Sequence, residues 1–259
     1  MKVFKSSILA ILSILFLSAD AVVDEYKVIK VMGEIIYKNS GDPMKTGDVF
    51  KASIPLKFKT EKSRAAVISK NKGRFVLAPP SESKTTNLVP AVNTISSRSG
   101  AIVNALDMRK HFEGEYLIID QVAIPVSPET YPQNDHHFFF MSYEYNGEKI
   151  MKKLNGENGK LIIDREELFT IDGTKVEPFN TQMNLYYRDA KAKENNQVAT
   201  FEGVFPSEEL LKKEVSVILE EYEDFEENEK FKQVKGYLTE FYGKPFDPSL
   251  KDWLSGMHY

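Results

Sequence analysis

Asn146-Gly147 stands between two strand-like runs, His137–Tyr145 before it and residues 148–154 after it. Both central positions of a two-residue type I′ turn need positive φ, and Asn followed by Gly meets that need at least cost. The spacing therefore predicts a β-hairpin. Leu161-Ile162-Ile163 and Asn184-Leu185-Tyr186-Tyr187 read as further strands, with Asp172-Gly173 as another turn. Residues 116–119 and 122–126 read as a pair of strands, in which Pro125 would have to lie on an edge because it has no N–H for the ladder. Residues 101–112 read as holding a short helix, with Asn104 as its cap.

The N-terminal part also reads as short strands. Residues 26–31 come first and Gly33 breaks them; residues 34–37 follow. A turn cluster at residues 39–43 and another at Thr46-Gly47-Asp48 lead to Val49-Phe50, Leu56-Lys57-Phe58, residues 65–69 and, past Asn71-Lys72-Gly73, residues 74–77. Such spacing predicts a small all-β unit, a sandwich or a barrel.

Five segments here carry a family resemblance. They are Gly33-Glu34-Ile35, Met44-Lys45-Thr46-Gly47-Asp48-Val49-Phe50, Leu56-Lys57-Phe58-Lys59-Thr60, Ser63-Arg64-Ala65-Ala66-Val67 and Gly73-Arg74-Phe75-Val76-Leu77. Together, over residues 28–80, they resemble the FecR-like domain of bacterial envelope proteins. The resemblance implies a small β domain used for contact with other envelope components. FecR proper also has a transmembrane helix, which this sequence lacks, so iron-transport signalling does not carry over.

Residues 78–87 are rich in serine, threonine and proline, and Ser96, Ser97, Ser99 and Gly100 extend that character. They read as a linker. Beyond the strands, Pro206-Ser207-Glu208-Glu209 opens a helix with Ser207 at the N-cap and two carboxylates near the positive end of the helix dipole. Leu211, Val215, Ile218, Leu219 and Tyr222 share one face. A second helix is expected from about Asn228, with Phe231, Val234, Leu238, Phe241 and Tyr242 as its stripe, Gly243 as terminator and Pro245 beyond. The short acidic joint makes this an αα-hairpin, expected to pack on the second sheet. The acidic run from Glu220 to Glu229 lacks the EF-hand ligand spacing and reads as a solvated face. Residues 253–259 read as a loose tail or a docking peptide. The fold class is thus α+β: an N-terminal all-β domain, then an antiparallel β region ending in an αα-hairpin. The expected organisation is a signal peptide (1–21), a FecR-like β domain (22–80), a linker with a short helix (81–113) and an α+β domain (114–259).

The signal-peptide reading rests on order. Lys2 and Lys5 precede an apolar run from Ile8 to Leu17, and Ala19-Asp20-Ala21 follows. A positive start, an apolar core and an A-x-A site are the parts of a cleavable secretory signal. A membrane helix needs about 20 apolar residues. Removal of residues 1–21 would take the formal charge from −4 to −5. The chain has no cysteine, so cysteine chemistry and disulfides are excluded. Export without disulfides points to a bacterial periplasmic or secreted protein. Mild acidity gives no basis for nucleic-acid binding, which calls for clustered basic charge.

No residue set identifies a reaction, and no cofactor is called for. Four histidines are present, at 111, 136, 137 and 258. His136 and His137 would point to opposite faces of a strand, so a zinc site there, even with Asp135, is not assigned. A carboxylate pair such as Glu144 with Asp164 has the residue types for glycoside hydrolysis, which needs a defined separation. Phe138, Phe139 and Phe140 could line a ligand pocket. The expectation is a non-catalytic envelope scaffold or accessory binding subunit, whose partner is an envelope protein or peptidoglycan. The alternatives are a periplasmic hydrolase of carbohydrate or peptide and a small-ligand binding protein.

Overall fold

The computed structural model describes residues 24–80, 88–91 and 100–257. The signal-peptide segment, most of the serine-rich connector and His258 lie outside them. The described chain is α+β, as expected, with strands predominating.

The N-terminal strands are β1 (Glu25–Met32), β2 (Ile35–Tyr37), β3 (Val49–Lys51), β4 (Leu56–Phe58), β5 (Arg64–Ser69), β6 (Gly73–Leu77) and β7 (Leu88–Pro90). Five of them form an antiparallel sheet in the order β3-β1-β5-β6-β7, and β2 pairs with β4. The strand β7 lies within the segment read as a linker. Residues 65–69 of β5 are all buried, which is why Ala65-Ala66-Val67-Ile68 reads as a continuous apolar run. Ala65 and Val67 pack with Tyr26, Val28, Ile35 and Phe50 on one side. Ala66 and Ile68, with Ile29, face the other way into a second core.

The middle of the chain contains α1 (Ala105–His111), β8 (Glu115–Leu117), β9 (Gln121–Pro125), β10 (His137–Tyr145), β11 (Glu148–Lys153), β12 (Asn155–Glu157), β13 (Lys160–Asp164), α2 (Arg165–Leu168), β14 (Thr170–Ile171), β15 (Thr174–Lys175), β16 (Thr181–Asp189) and β17 (Glu194–Val204). Asn104 caps α1 by accepting from the Asp107 amide at 2.9 Å. The central hairpin forms as read, with Asn146 at φ 52° and Gly147 at φ 81°. The expected pairing of residues 116–119 with 122–126 does not occur. β8 instead runs parallel to β17, and β9 pairs with β13, where Pro125 occupies an edge.

The last elements are α3 (Glu208–Glu221), α4 (Glu227–Phe241), β18 (Lys244–Pro245) and α5 (Asp247–Ser255). Ser207 caps α3 through the Leu210 amide. The helical hairpin is present, but its main support is the N-terminal sheet rather than the second one. Leu211, Val215 and Ile218 of α3 and Val234 and Leu238 of α4 pack with Ile29, Ala66 and Ile68; Leu117, Ile119 and Val204 join from the second sheet. The acidic run is largely exposed, as expected of a solvated face, and it also meets lysines of the N-terminal sheet. Glu220 pairs with Lys27 at 2.5 Å, Asp224 with Lys70 at 2.6 Å, and Glu221 accepts from the Lys70 amide at 2.8 Å. Residues 253–255 belong to α5, not to a tail, and Leu254 is fully buried.

The larger sheet has the order β11-β10-β16-β17-β8-β18. Its inner face meets the β12-β13-β9 sheet and α1 across a core that contains Phe139, Met141, Leu185, Phe201, Ile124, Ile163 and Phe112.

Candidate functional site

Strand side chains alternate between faces, so the register fixes what the six-stranded sheet presents outward. One row across β11, β10, β16 and β17 is Lys153, Phe140, Tyr186 and Gln197. The next is Met151, Ser142, Asn184 and Thr200. Phe138, Arg188 and Asn195 form a third. A bulge opposite Leu185 and Tyr186 lets Val198 and Ala199 both be buried while Gln197 and Thr200 stay exposed.

The outward rows are aromatic, amide and basic. Phe140 and Tyr186 stack on each other with centroids 4.9 Å apart and planes 6° apart. The Lys149 ammonium lies 5.7 Å from the Tyr186 centroid, and that of Lys153 lies 4.6 Å from the Phe138 centroid. Arg188 donates to Asn195 Oδ1 at 2.8 Å. Among the described residues, Lys149, Lys153 and Arg188 have no carboxylate at ion-pair distance. Gln197 Nε2 donates to Asn184 Oδ1 (3.1 Å) and Thr200 Oγ1 (2.6 Å), and the Thr200 hydroxyl donates to Asn184 Oδ1 at 3.0 Å. Met151 is 57 % exposed. Ser142 is 1 % exposed, and its hydroxyl has no hydrogen-bond partner among the described residues. It lines a cavity of about 280 Å³ together with Glu144, Lys149, Thr181, Gln182 and Asn184.

The residues singled out from sequence are dispersed. Phe139 is fully buried against Tyr131 and Tyr187, so the three phenylalanines do not act as one set. His137 lies 3.4 Å from Asp189, while His136 is exposed and donates its amide to Asn134. Asp135 is exposed too. No group of three His, Asp or Glu side chains that could hold a metal ion occurs among the described residues. Glu144 faces Lys149 on the six-stranded sheet, whereas Asp164 ends β13 and caps α2 through the Glu167 amide. The two carboxylates are therefore on different sheets.

A second cluster lies at the end of α1. His111 Nε2 is 2.7 Å from the Tyr116 hydroxyl, and Lys244 donates to the His111 carbonyl at 2.9 Å. These groups adjoin a cavity of about 420 Å³. Burial, with the nearby Lys244 charge, pushes the His111 pKa down to about 4. The ordinary value in an unfolded chain is about 6.5. Above about pH 6.5 the ring is neutral in both states. Between that and pH 4 the unfolded chain takes up the proton and the folded chain does not, so stability falls as pH falls through this window. The shift corresponds to up to about 3 kcal/mol. Urea unfolding at pH 7.5 and 4.5 should show a larger loss for wild type than for His111→Gln; equal losses would mean that another group sets the acid limit.

The sequence matches no protein-family model and no curated protein. Among the described residues, no helix is long and apolar enough to cross a membrane.

The outward set Lys149, Lys153, Asn184, Arg188, Gln197 and Thr200 was not read from sequence. Its signal is alternation within each strand, but the residues converge only once β16 lies between β10 and β17. The Asn146-Gly147 turn fixes only one of those pairings.

Proposed function

We propose that this chain is an exported bacterial envelope protein acting as a non-catalytic scaffold or accessory binding subunit. Its contact surface is the outer face of the six-stranded sheet. In this reading the N-terminal strands form a small sandwich of the FecR-like type, and the partner is an envelope protein or peptidoglycan. The observation that carries the proposal is that face. It spans four strands, bears three cations with no carboxylate at ion-pair distance among the described residues, and exposes Met151 beside a buried hydroxyl with no partner among them. An exposed charge needs no partner in water. Glu144 stands opposite Lys149, and Glu202 follows Thr200 on the same face, so the positive excess lies at Lys153 and Arg188, whose cross-strand neighbours are uncharged. That excess on an acidic chain favours an anionic partner. The order of charge, apolar core and small residues at the chain start supports export.

Photo-crosslinking in growing cells tests this. A benzophenone side chain placed at Met151 or Gln197 should give discrete adducts. The same group at Lys175 or Lys213, on exposed positions elsewhere, should give none. Adducts at the two control positions alone, or none at any position, would contradict the proposal.

A further inference from the structure

We infer that the outer face binds a carboxylate-bearing glycan chain, with Asn184, Gln197, Thr200 and Ser142 meeting its hydroxyls and Lys149, Lys153 and Arg188 meeting its carboxylates. This rests on the proposed binding role of that face.

The first ground is hydrogen-bond accounting. A sugar hydroxyl both donates and accepts, so it suits a surface on which both capacities remain open. Asn184 Oδ1 accepts from Gln197 and Thr200, and its NH2 group has no partner among the described residues. The Ser142 hydroxyl, buried and partnerless, can donate and accept. A buried polar group left unmade costs free energy, so a ligand that supplies the missing bond gains from it. Gln182 and Thr181 line the same cavity with Glu144 and Lys149, so its wall is polar rather than apolar.

The second ground is charge complementarity. Lys149 and Lys153 are four residues apart on β11, about 14 Å along the strand at the usual rise. Arg188 lies across β10 from them, in the row of Phe138. These positive charges are spread along the face rather than gathered at one point; Glu144 stands opposite Lys149 and Glu202 lies beyond Thr200, so Lys153 and Arg188 carry the positive excess. That spacing fits repeated carboxylates on an extended chain better than a single anion.

The third ground separates a glycan from other anionic partners. Protein interfaces concentrate their energy in protruding aromatic or arginine anchors that fill pockets. Here Phe140 is buried and spends one ring face on Tyr186, and Met151 is the large apolar side chain that protrudes. Single-stranded nucleic acid uses aromatic ring faces as stacking platforms, and that stacked pair turns its shared faces to each other.

The test uses the purified exported chain, with alginate as a soluble carboxylated polysaccharide, laminarin as a neutral one, poly-glutamate as a carboxylated polymer without sugar, and insoluble peptidoglycan. Alginate should retard the chain in affinity electrophoresis, and peptidoglycan should carry it down on centrifugation. Laminarin should do neither. Poly-glutamate should bind at least tenfold more weakly than alginate. The pair Asn184→Ala with Thr200→Ala, the single Gln197→Ala, and the triple Lys149→Gln, Lys153→Gln, Arg188→Gln should each weaken alginate binding, the double and triple variants at least tenfold. Each is to show wild-type thermal unfolding, and Gln197→Ala stands in if the double variant does not fold. Equal binding of poly-glutamate and alginate, or unchanged binding by the amide variants, would overturn the inference. Protease-sensitive adducts from Met151 without any binding to alginate or peptidoglycan would overturn it while leaving the binding role intact. Absence of both adducts and glycan binding would remove both.

Discussion

Glu214→Leu is expected to cost about 3–5 kcal/mol, the range for removing one partner of a buried ion pair. Glu214 lies on α3 and is buried. Its Oε2 accepts from the Tyr237 hydroxyl at 2.6 Å and from the Tyr242 hydroxyl at 2.5 Å, and its Oε1 pairs with the Lys30 ammonium at 3.2 Å. Lys30 also sits 3.9 Å over the Tyr242 ring and bonds its hydroxyl. The cluster joins β1 to α3 and α4. Leucine would leave a partly buried ammonium and two tyrosine hydroxyls without their acceptor. Adding Lys30→Met should recover much of the loss, because replacing both members of a buried pair by apolar groups is often near neutral. Urea unfolding checks both variants. A loss below about 1 kcal/mol for the single substitution would mean that water satisfies the cluster, as it does for exposed pairs.

Gly243→Ala is expected to cost more than about 2 kcal/mol, through strain and a backbone clash together. Gly243 has φ +102°, which L side chains rarely adopt. A methyl there would lie 2.6 Å from Glu115 Cβ and 2.7 Å from its carbonyl oxygen. Glu115 begins β8, on which β18 lays Lys244 and Pro245, so the pairing and the start of α5 must shift. Gly41→Ala is the control: φ is +82°, but nothing lies within 4 Å of the added carbon. It should cost only about 1 kcal/mol. Calorimetry should then show the Gly243 variant melting several degrees below the Gly41 variant, given about 2–4 °C per kcal/mol for a chain of this size. Equal melting temperatures would show that the Glu115 contact yields without cost.

Gly243 also marks how far the sequence could be read. Its role as the end of α4 is local and legible, as are the Ser207 and Asn104 caps and the Asn146-Gly147 turn. Its close approach to Glu115 is not legible, since that residue lies more than a hundred positions earlier. The same distinction separates the other outcomes. The apolar stripe of α3 was evident from its spacing, but a stripe does not name the surface that covers it. Ala66 and Ile68 on β5 supply that surface, and their run reads only as a strand, with no sign of what covers its second face. The acidic turn after α3 reads as solvated, and it is, but its surface pairs with Lys27 and Lys70 are not legible locally. Parallel pairing of β8 with β17 has no turn to announce it, so the antiparallel pairing expected of residues 116–126 was the wrong neighbour choice. The outer-face cations carry even less local signal. Lys149, Lys153 and Arg188 look like ordinary surface charge until the register aligns them.

The outer face is expected to be covered in the envelope, and Met151 reports on that directly. This side chain is exposed and lies beside Ser142 and Asn184. Peroxide converts an accessible thioether to the sulfoxide. Mass spectrometry can follow the oxidation rate of Met151 in the purified chain and in intact envelopes, scaled to that of free methionine in each sample. Met151 should oxidise fast in the purified chain, at least fivefold more slowly in envelopes, and again at the fast rate in the Lys149→Gln, Lys153→Gln, Arg188→Gln chain. Equal rates for wild type in the two samples would contradict coverage of the face.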